Sequence, residues 1–373
     1  MCKEPQKPFI SESLCYYLLN IKNKINIYEK EWNLYKKYTN PYEFIHTTIP
    51  FKKKCIAKHK PLSRSFFKMV ELIHLFYLNK YENASIQSFH LAEGPGGFIE
   101  AFSKERNNPK DKHIGMTLLD DENNLNIPSW KKSNVFLNNH PNIHIENGCD
   151  NTGNILSIEN FTHVVEKYGS SMDFITADGG FDFSNDFDNQ EINIGNLLYG
   201  QVVYALCLQK KHGNFVLKIF DAFFEHTAHI LYILSSFYEN VYITKPNTSR
   251  SANSEKYIIC KGFLFSNSQD FYPFLHSSFE QMMLNKQQQY TLLKTPIPMH
   301  FTLKLEECNS IFGQQQIENI HSTISFIIAD KQQQQHPLEQ TLCAKFENNV
   351  KNNVLKCTQW CVVHKIQYNK YLF

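Results

Sequence analysis

Several features that would assign this 373-residue sequence to a class at once are missing from it. Its 38 lysines and arginines almost balance its 36 aspartates and glutamates, so a uniformly basic nucleic-acid-binding chain is excluded and only local charge clusters need be considered. No apolar run is long enough to span a bilayer. The first residues, MCKEPQKPFISES, contain no apolar stretch of the kind that secretory signals need, so no such signal is expected.

The ten cysteines lack the regular spacing of a disulfide-rich or zinc-binding module, which predicts an intracellular protein with reduced thiols. The nearest approach to a metal pattern is CTQWCVVH, with Cys357, Cys361 and His364. Structural zinc normally takes four ligands, and this motif supplies three in an apolar, helix-periodic context. The motif therefore predicts the buried face of a helix, and no metal is expected.

Glycine is scarce at 14 residues, yet three glycines lie within four residues of the stretch FHLAEGPGGFIEAF. The residues before Gly94 read as a strand and those after Gly97 as a helix. Such a turn is either ordinary architecture or a loop that lets backbone approach a ligand at a helix N-terminus. Its spacing is not the G-x-G-x-x-G of dinucleotide sites, so a cofactor without pyrophosphate suits it better.

Predicted strands and helices alternate between residues 85 and 265. This order is typical of an α/β fold with a mostly parallel sheet and helices on both faces. The last two predicted strands, NVYITKP and KYIICKGFLF, have no long helix between them, which predicts a hairpin that completes the sheet. A helix is predicted over 191–211, closed by Gly213, and helices are also predicted near both ends of the chain. The tracts NKQQQY and DKQQQQHP are predicted loops.

Charged residues are predicted at the ends of several strands, where open α/β sheets place their sites. Asp178 ends the strand MDFITAD, Lys218 lies inside NFVLKIF, and Glu255 precedes the final strand. Lys68 lies on the helix before the glycine turn. Singly, these residues are explained as a turn residue, a snorkelling lysine and surface charges. Together they suggest catalysis, because burial and a neighbouring cation can lower the pKa of a lysine until it acts as a base.

The order Lys68, Asp178, Lys218, Glu255, together with the EGPGGF loop, resembles the Lys–Asp–Lys–Glu tetrad of the FtsJ-type (RrmJ-type) ribose 2′-O-methyltransferases. The similarity is closest to their cap-specific mRNA branch, found in eukaryotes and some large DNA viruses, and extends over residues 40 to 265. Five segments carry it: NPYE (40–43), GPGGF (94–98), GMTL (115–118), ADGGF (177–181) and KPNTSRSANSEKYIICKG (245–262).

The resemblance implies a Rossmann-like methyltransferase domain with an antiparallel final strand over residues 51–268, between helical extensions at 1–50 and 269–373. It also implies S-adenosyl-L-methionine as the cofactor. The residues implied to bind it are Ala92, Glu93, Gly94, Pro95, Gly96, Gly97, Phe98, Asn154, Ile155 and Asp178. Two of them depart from the family pattern, which often has an acidic residue in place of Asn154 and, in the cap branch, a small residue in place of Glu93.

The resemblance further implies roles and a partner, the capped 5′ end of mRNA. Lys218 is the expected general base for a ribose 2′-hydroxyl, with Lys68 and Glu255 orienting that hydroxyl and Asp178 holding both lysines. RNA contacts are predicted for residues close in sequence to two tetrad members, although such charge runs are often only solvated surface. These residues are Lys52, Lys53, Lys54, Lys58, Lys60, Arg64, Lys245, Ser249, Arg250 and Asn253.

The expected reaction is methyl transfer to the 2′-hydroxyl of the first transcribed nucleotide. Other substrates stay open, namely the second transcribed nucleotide, ribosomal RNA and transfer RNA. A non-catalytic RNA-binding protein with a methyltransferase fold is the alternative from another class. An NAD-linked oxidoreductase fits the fold alone, but it would not explain the four tetrad residues.

Overall fold

The computed structural model describes residues 7–50, 52–81, 85–119, 129–180, 189–285, 291–335 and 341–370. Phe181 of the ADGGF segment and residues 286–290 and 336–337 of the glutamine tracts lie outside these ranges. The loop predicted for DKQQQQHP is wrong over residues 330–335, which form the end of a long helix, Met299–Gln335. The chain forms two compact units: Met1–Ile10, Leu62–Lys245 and Glu255–Glu306 make the first, and Ser11–Pro61, Pro246–Ser254 and Glu307–Phe373 make the second. The division into 1–50, 51–268 and 269–373 stays a prediction.

A seven-stranded sheet is the centre of the first unit, and its strand order is β3-β2-β1-β4-β5-β7-β6. The strands are β1 Gln87–Leu91, β2 Lys112–Met116, β3 Ile143–Ile145, β4 Met172–Ala177, β5 Gln209–Ile219, β6 Tyr238–Thr244 and β7 Lys256–Phe263. The pairs among β1 to β5 are parallel, whereas β7 runs antiparallel to both β5 and β6. The predicted mostly parallel sheet with a final hairpin is therefore confirmed, while the short strand β3 was not predicted.

Among the described residues, eight helices lie wholly in the first unit, one of them before β1 and the others between or after the strands. They are α3 Ser65–Phe76, α4 Gly97–Arg106, α5 Asn134–Asn139, α6 Ile158–Tyr168, α7 Gln190–Asn193, α8 Gly195–Leu208, α9 Glu225–Phe237 and α10 Tyr272–Asn285. Helix α8 is mostly apolar and almost completely buried, as expected of a helix enclosed by a core. In the part of the chain that the structure describes, no helix is long and apolar enough to cross a membrane.

The predicted helix over 191–211 is wrong at its C-terminal end. Helix α8 stops at Leu208, and β5 begins at Gln209, whose side chain donates to the Met172 carbonyl (2.8 Å) and accepts from the Tyr238 hydroxyl (3.1 Å). Gly213 lies within β5 rather than closing a helix, at a register irregularity against β4. A Cβ there would come within 2.2 Å of the Gln209 amide, so this crowded bulge requires glycine.

The second unit is helical, with α1 Glu12–Ile27, α2 Glu29–Thr39, α12 Thr341–Val363 and most of α11 Met299–Gln335. Ile21, Ile320 and Ile324 form one of its buried apolar clusters. Cys357 and Cys361 are fully buried on α12, as the helix-face interpretation of CTQWCVVH predicts. The helices predicted near both ends of the chain are thus confirmed.

Two histidines, His90 and His113, are buried inside the sheet and are linked through the hydroxyl of Ser88. The Ser88 hydroxyl contacts His90 Nε2 (2.9 Å) and His113 Nδ1 (2.7 Å), and His90 Nδ1 contacts the Thr176 hydroxyl (2.8 Å). Both imidazoles are fully buried. Burial lowers the pKa of His113 to about 4, against the opposing effect of Asp111, and lowers the pKa of His90 well below its usual value. Both rings are therefore neutral at pH 7.

This pair should make the first unit sensitive to mild acid. Between pH 6.5 and 4 the unfolded chain protonates His113 while the folded chain does not, so stability present above pH 6.5 is lost as the pH falls. The full shift corresponds to about 3 kcal/mol. Calorimetric melting temperatures from pH 7 to 4 should fall less steeply for His113→Asn than for the wild type. His300→Gln, at an exposed histidine of the first unit, should keep the wild-type slope, and equal slopes in all three proteins would contradict the assignment.

Candidate active site

The sheet topology places all four tetrad residues in the first unit, three of them at one edge of the sheet. Asp178 follows β4, and Lys218 is the penultimate residue of β5, so both lie at carboxyl ends of parallel strands. Because β7 is antiparallel to β5, with Lys256 opposite Ile219, Glu255 enters at that same edge. Helix α3 carries the fourth residue, Lys68, which is 6% exposed.

The four residues form two ion pairs. Lys68 Nζ lies 2.6 Å from Glu255 Oε1 and 2.8 Å from Glu255 Oε2. Lys218 Nζ lies 3.2 Å from Asp178 Oδ1 and donates to the Asp178 carbonyl oxygen at 2.6 Å. Asp178 therefore pairs directly with Lys218, whereas Glu255 pairs with Lys68. The expectation that Asp178 holds both lysines stays a prediction.

Tyr257 connects the two pairs, and sequence reasoning missed it. Its buried hydroxyl lies 3.2 Å from Glu255 Oε1 and 3.3 Å from Asp178 Oδ1. Burial, Asp178 and Glu255 raise the pKa of Tyr257 well above its usual value, so the hydroxyl is a neutral hydrogen-bond donor. Tyr257 lies opposite Lys218 in the β5–β7 register. A signal was present, because residues two apart in a strand share a face, and Tyr257 is two residues after Glu255.

A polar helix residue was also missed. Gln201 is fully buried on the otherwise apolar helix α8, and its Oε1 accepts from the Gly179 amide at 3.0 Å. A Cβ on Gly179 would approach that oxygen to 2.5 Å, so glycine is needed directly after Asp178. The signal for Gln201 was its isolation among apolar residues, because a buried polar side chain normally has a hydrogen-bond partner.

Cationic neighbours determine the charge state of Glu255. Burial opposes its ionisation, but Lys68 and Lys218 outweigh burial and hold the pKa of Glu255 well below its usual range. Burial lowers the pKa of Lys68, with Glu255 opposing this effect. The half-buried Lys245 donates to the Glu255 carbonyl oxygen at 2.8 Å, and desolvation, followed by the charge of Lys256, lowers the pKa of Lys245 well below its usual value. The site thus combines an ionised carboxylate, Glu255, with two lysines, Lys68 and Lys245, whose pKa values lie below the usual one.

The glycine turn lies between β1 and α4 as predicted, and the Gly94–Pro95 peptide is cis. Gly96 has φ 105°, a conformation that residues with a Cβ seldom adopt. A Cβ on Gly97 would lie 2.1 Å from the Ser65 hydroxyl, and one on Gly94 would lie 2.9 Å from the Ser129 carbonyl oxygen. Packing within the protein therefore accounts for these three glycines without a ligand.

Glu93 of the same turn caps helix α4. Its Oε1 accepts from the amides of Phe98 (2.5 Å) and Ile99 (2.9 Å), two of the amides that a helix start leaves without intrahelical partners. Its Oε2 is buried and has no hydrogen-bond partner among the described residues. Burial, followed by the charge of Asp178, raises the pKa of Glu93 well above its usual value. This buried oxygen of the glycine turn is therefore available to interact with a ligand.

The predicted adenine segment folds around its own polar groups. Asn154 Oδ1 accepts from the Leu156 amide at 3.0 Å, and the Asn154 carbonyl accepts from the Asn160 side chain at 3.0 Å. Ile155 is buried in the main core cluster of the sheet. An acidic residue at position 154 could accept the same amide proton, so the departure from the family pattern leaves the turn intact.

The predicted RNA-binding residues are divided between the two units. Arg64 and Lys245 belong to the first unit, whereas residues 52–60 and 246–254 belong to the second. Lys52, Lys53, Lys54, Lys58 and Lys60 are all exposed. Ser249 is 1% exposed, and its hydroxyl lies 3.4 Å from Asn253 Oδ1. RNA binding by these residues stays a prediction.

Arg250 has a structural partner in the second unit, Glu43 of the NPYE segment. Its Nε and Nη2 atoms lie 2.8 Å and 2.5 Å from the two carboxylate oxygens of Glu43, which is fully buried. Asn40 donates to the same carboxylate at 2.7 Å. Ala252 and Ser254 are held in this unit as well, by Gln316 (3.0 Å) and Lys22 (3.0 Å) respectively. These bonds hold residues 250–254 within the second unit.

The mostly parallel sheet with an antiparallel last pairing, and the paired lysines and carboxylates at its edge, define a Rossmann-like methyltransferase. Residues 61–263, more than half of the chain, match the model of the family described as FtsJ-like methyltransferase. The chain belongs to this FtsJ-like methyltransferase family, and the resemblance stated from the tetrad is confirmed.

Curated proteins similar to this chain are named cap-specific mRNA (nucleoside-2′-O-)-methyltransferase 1 or 2. The methyltransferase 2 of Drosophila melanogaster is 28% identical over 258 residues, which cover 65% of this chain and 35% of that protein. The methyltransferase 2 of Mus musculus is 27% identical, over 82% of this chain and 41% of that protein. The methyltransferase 1 of Danio rerio is 30% identical, over 68% of this chain and 31% of that protein. The chain thus spans less than half the length of these relatives.

The Arg250–Glu43 pair should contribute strongly to stability. Arg250→Met leaves a buried carboxylate without its cation, which should cost about 3–5 kcal/mol. Lys331→Met removes the more exposed partner of Glu31 in the same unit and should lower stability far less, because solvent screens an exposed ion pair. Thermal unfolding of both variants measures the difference. The double variant Glu43→Leu/Arg250→Met should recover part of the loss, and equal small losses in both single variants would contradict this role.

Proposed function

We propose that this protein is a cap-specific mRNA 2′-O-methyltransferase that transfers a methyl group from S-adenosyl-L-methionine to the 2′-hydroxyl of the first transcribed nucleotide. The observation that carries the proposal is the pairing of Lys68 with Glu255 and of Lys218 with Asp178 at one sheet edge, joined by Tyr257. Family membership and the names of the relatives support the substrate class.

The pairs suit deprotonation of a weak nucleophile. Lys218 is the proposed general base because its Nζ lies near the end of β5 with two Asp178 oxygens fixing its position. Lys68, held by Glu255, orients the ribose hydroxyl, and Tyr257 keeps the two carboxylates in register. Holding nucleophile and methyl donor in an attack geometry supplies much of the acceleration in such reactions.

The glycine turn fits the proposed cofactor. S-adenosyl-L-methionine would supply an electrophilic methyl group on a positively charged sulfur. The turn offers the unpartnered oxygen of Glu93, and Asp178 lies just beyond the adjacent strand β4. Ala92, with φ 51°, starts the turn in a conformation that is uncommon for residues with a Cβ, as often occurs at functional sites. Carboxyl groups at this position favour a cation.

The substrate position is tested by a panel of RNAs. Labelled cofactor should transfer methyl to capped RNA, not to uncapped RNA, and not to capped RNA already 2′-O-methylated on its first nucleotide. Because relatives of both types are matched, transfer only to the premethylated RNA would instead assign the second nucleotide. Equal transfer to uncapped RNA would overturn cap dependence and favour ribosomal or transfer RNA.

Removal of the proposed base should strongly slow methyl transfer without unfolding the protein. With capped RNA, Lys218→Ala should lower kcat about 10²-fold or more, because general-base catalysis is worth roughly 10²–10⁴-fold. Cofactor affinity, measured by calorimetry, should change little. Lys210→Ala, at an exposed lysine on the same strand, serves as the matched control and should keep normal turnover. Turnover of Lys218→Ala near the wild-type value would overturn the assignment.

The exposed lysines at 52–54 are proposed to contact RNA phosphates. Replacing Lys52, Lys53 and Lys54 with Gln should weaken RNA binding and reduce the slope of log affinity against log salt by about 2, since each phosphate contact on single strands adds about 0.7. The control variant Lys351→Gln/Lys356→Gln/Lys365→Gln removes the same charge from exposed positions on and after α12. Equal slopes for both triple variants would indicate a merely solvated surface.

A further inference from the structure

Glu93 is a buried carboxyl group for which the tetrad chemistry has no use. It is 4% exposed, and one of its oxygens is engaged by the start of α4 while the other has no hydrogen-bond partner among the described residues. The charged groups that act on it are Asp178, beyond β4, and Lys218, on β5. A second carboxylate and a lysine therefore face the turn from the two strands that carry the catalytic pair.

The balance of these effects disfavours the charged form of Glu93. The amides of Phe98 and Ile99 stabilise a negative charge at a helix start, and Lys218 adds to that effect. Burial and Asp178 act in the opposite direction and prevail, so the pKa of Glu93 lies well above its usual value. A new positive charge beside the turn would reverse the balance, because an opposite charge within about 4–6 Å lowers a carboxyl pKa by roughly 1–3 units.

We propose that Glu93 is protonated before the cofactor binds and ionises when the sulfonium group arrives, so that the turn binds S-adenosylmethionine with release of a proton and discriminates against the uncharged product. This inference rests on the proposed function, because it takes residues 92–98 as the cofactor loop. The O–H bond of the carboxyl group breaks and its proton passes to solvent, while the carboxylate compensates the sulfonium charge. Adenosylhomocysteine carries a neutral thioether instead and gives no such gain.

Calorimetry of the full chain without RNA tests this directly. Titrations with S-adenosylmethionine and with adenosylhomocysteine, in buffers of different ionisation enthalpy between pH 5 and 9, count the protons released. Up to one proton should leave with S-adenosylmethionine, whose affinity should rise by up to about tenfold per pH unit within the linkage window. Adenosylhomocysteine should release fewer protons and show a flatter profile. Equal proton release by both ligands would overturn the proposal.

Two substitutions locate the proton. Glu93→Gln keeps an oxygen that accepts from Phe98 and Ile99, and it should abolish the release and reduce the preference for S-adenosylmethionine by about tenfold or more. Glu191→Gln is the matched control, because Glu191 is also buried, accepts from the Phe223 and Phe224 amides and has a pKa raised to about 7 by burial, followed by Asp221. It should release the proton normally.

The outcomes separate this inference from the proposed function. If neither ligand binds, the cofactor assignment itself fails. If S-adenosylmethionine binds without proton release, or if Glu191→Gln abolishes the release, only the role of Glu93 is overturned. If Glu93→Gln does not fold, the wild-type comparison of the two ligands together with Glu191→Gln still decides the question.

Discussion

The constraint on which the site depends is the cost of burying charge. Removing an ammonium or carboxylate group from water costs several kcal/mol unless a partner of opposite charge is placed beside it. Lys68 and Glu255 are both at most 9% exposed, and they satisfy each other at 2.6 Å. Lys68 comes from α3 and Glu255 from the residue before β7. Their pairing therefore requires the sheet to bring these two elements together. The antiparallel insertion of β7 between β5 and β6 meets this requirement.

Residues whose chemistry conflicts with their surroundings could be predicted from the sequence. A lysine inside the apolar strand around Lys218 and an aspartate at the end of the strand before Gly179 stood out for that reason, and both lie at the sheet edge. Alternating apolar segments likewise predicted the sheet, because burial imposes period two on strands and period 3.6 on helices. These signals are local. The tetrad was recognised because the four residues also occur in the family's order along the chain.

The features that escaped prediction depend on tertiary partners. The polar segment after Leu208 continued a helical pattern, and only the pairing of Gln209 with Met172 turns it into a strand. Arg250 reads as a phosphate ligand until Glu43, about two hundred residues earlier in the chain, is found beside it. A single sequence does not reveal such pairings, because each contact joins residues that are far apart in the chain and leaves no local pattern.

The glycine turn shows how one segment meets two demands. Packing against Ser65 and Ser129 and the positive φ of Gly96 already account for its glycines, so their presence alone did not identify a ligand loop. Glu93 is different, because a carboxyl group raises the cost of burying this turn and packing does not require it. A helix cap could be supplied by a side chain without a second, unpartnered oxygen, such as serine or threonine. The oxygen that capping leaves unused is therefore the feature of the turn that a cationic ligand explains and architecture does not.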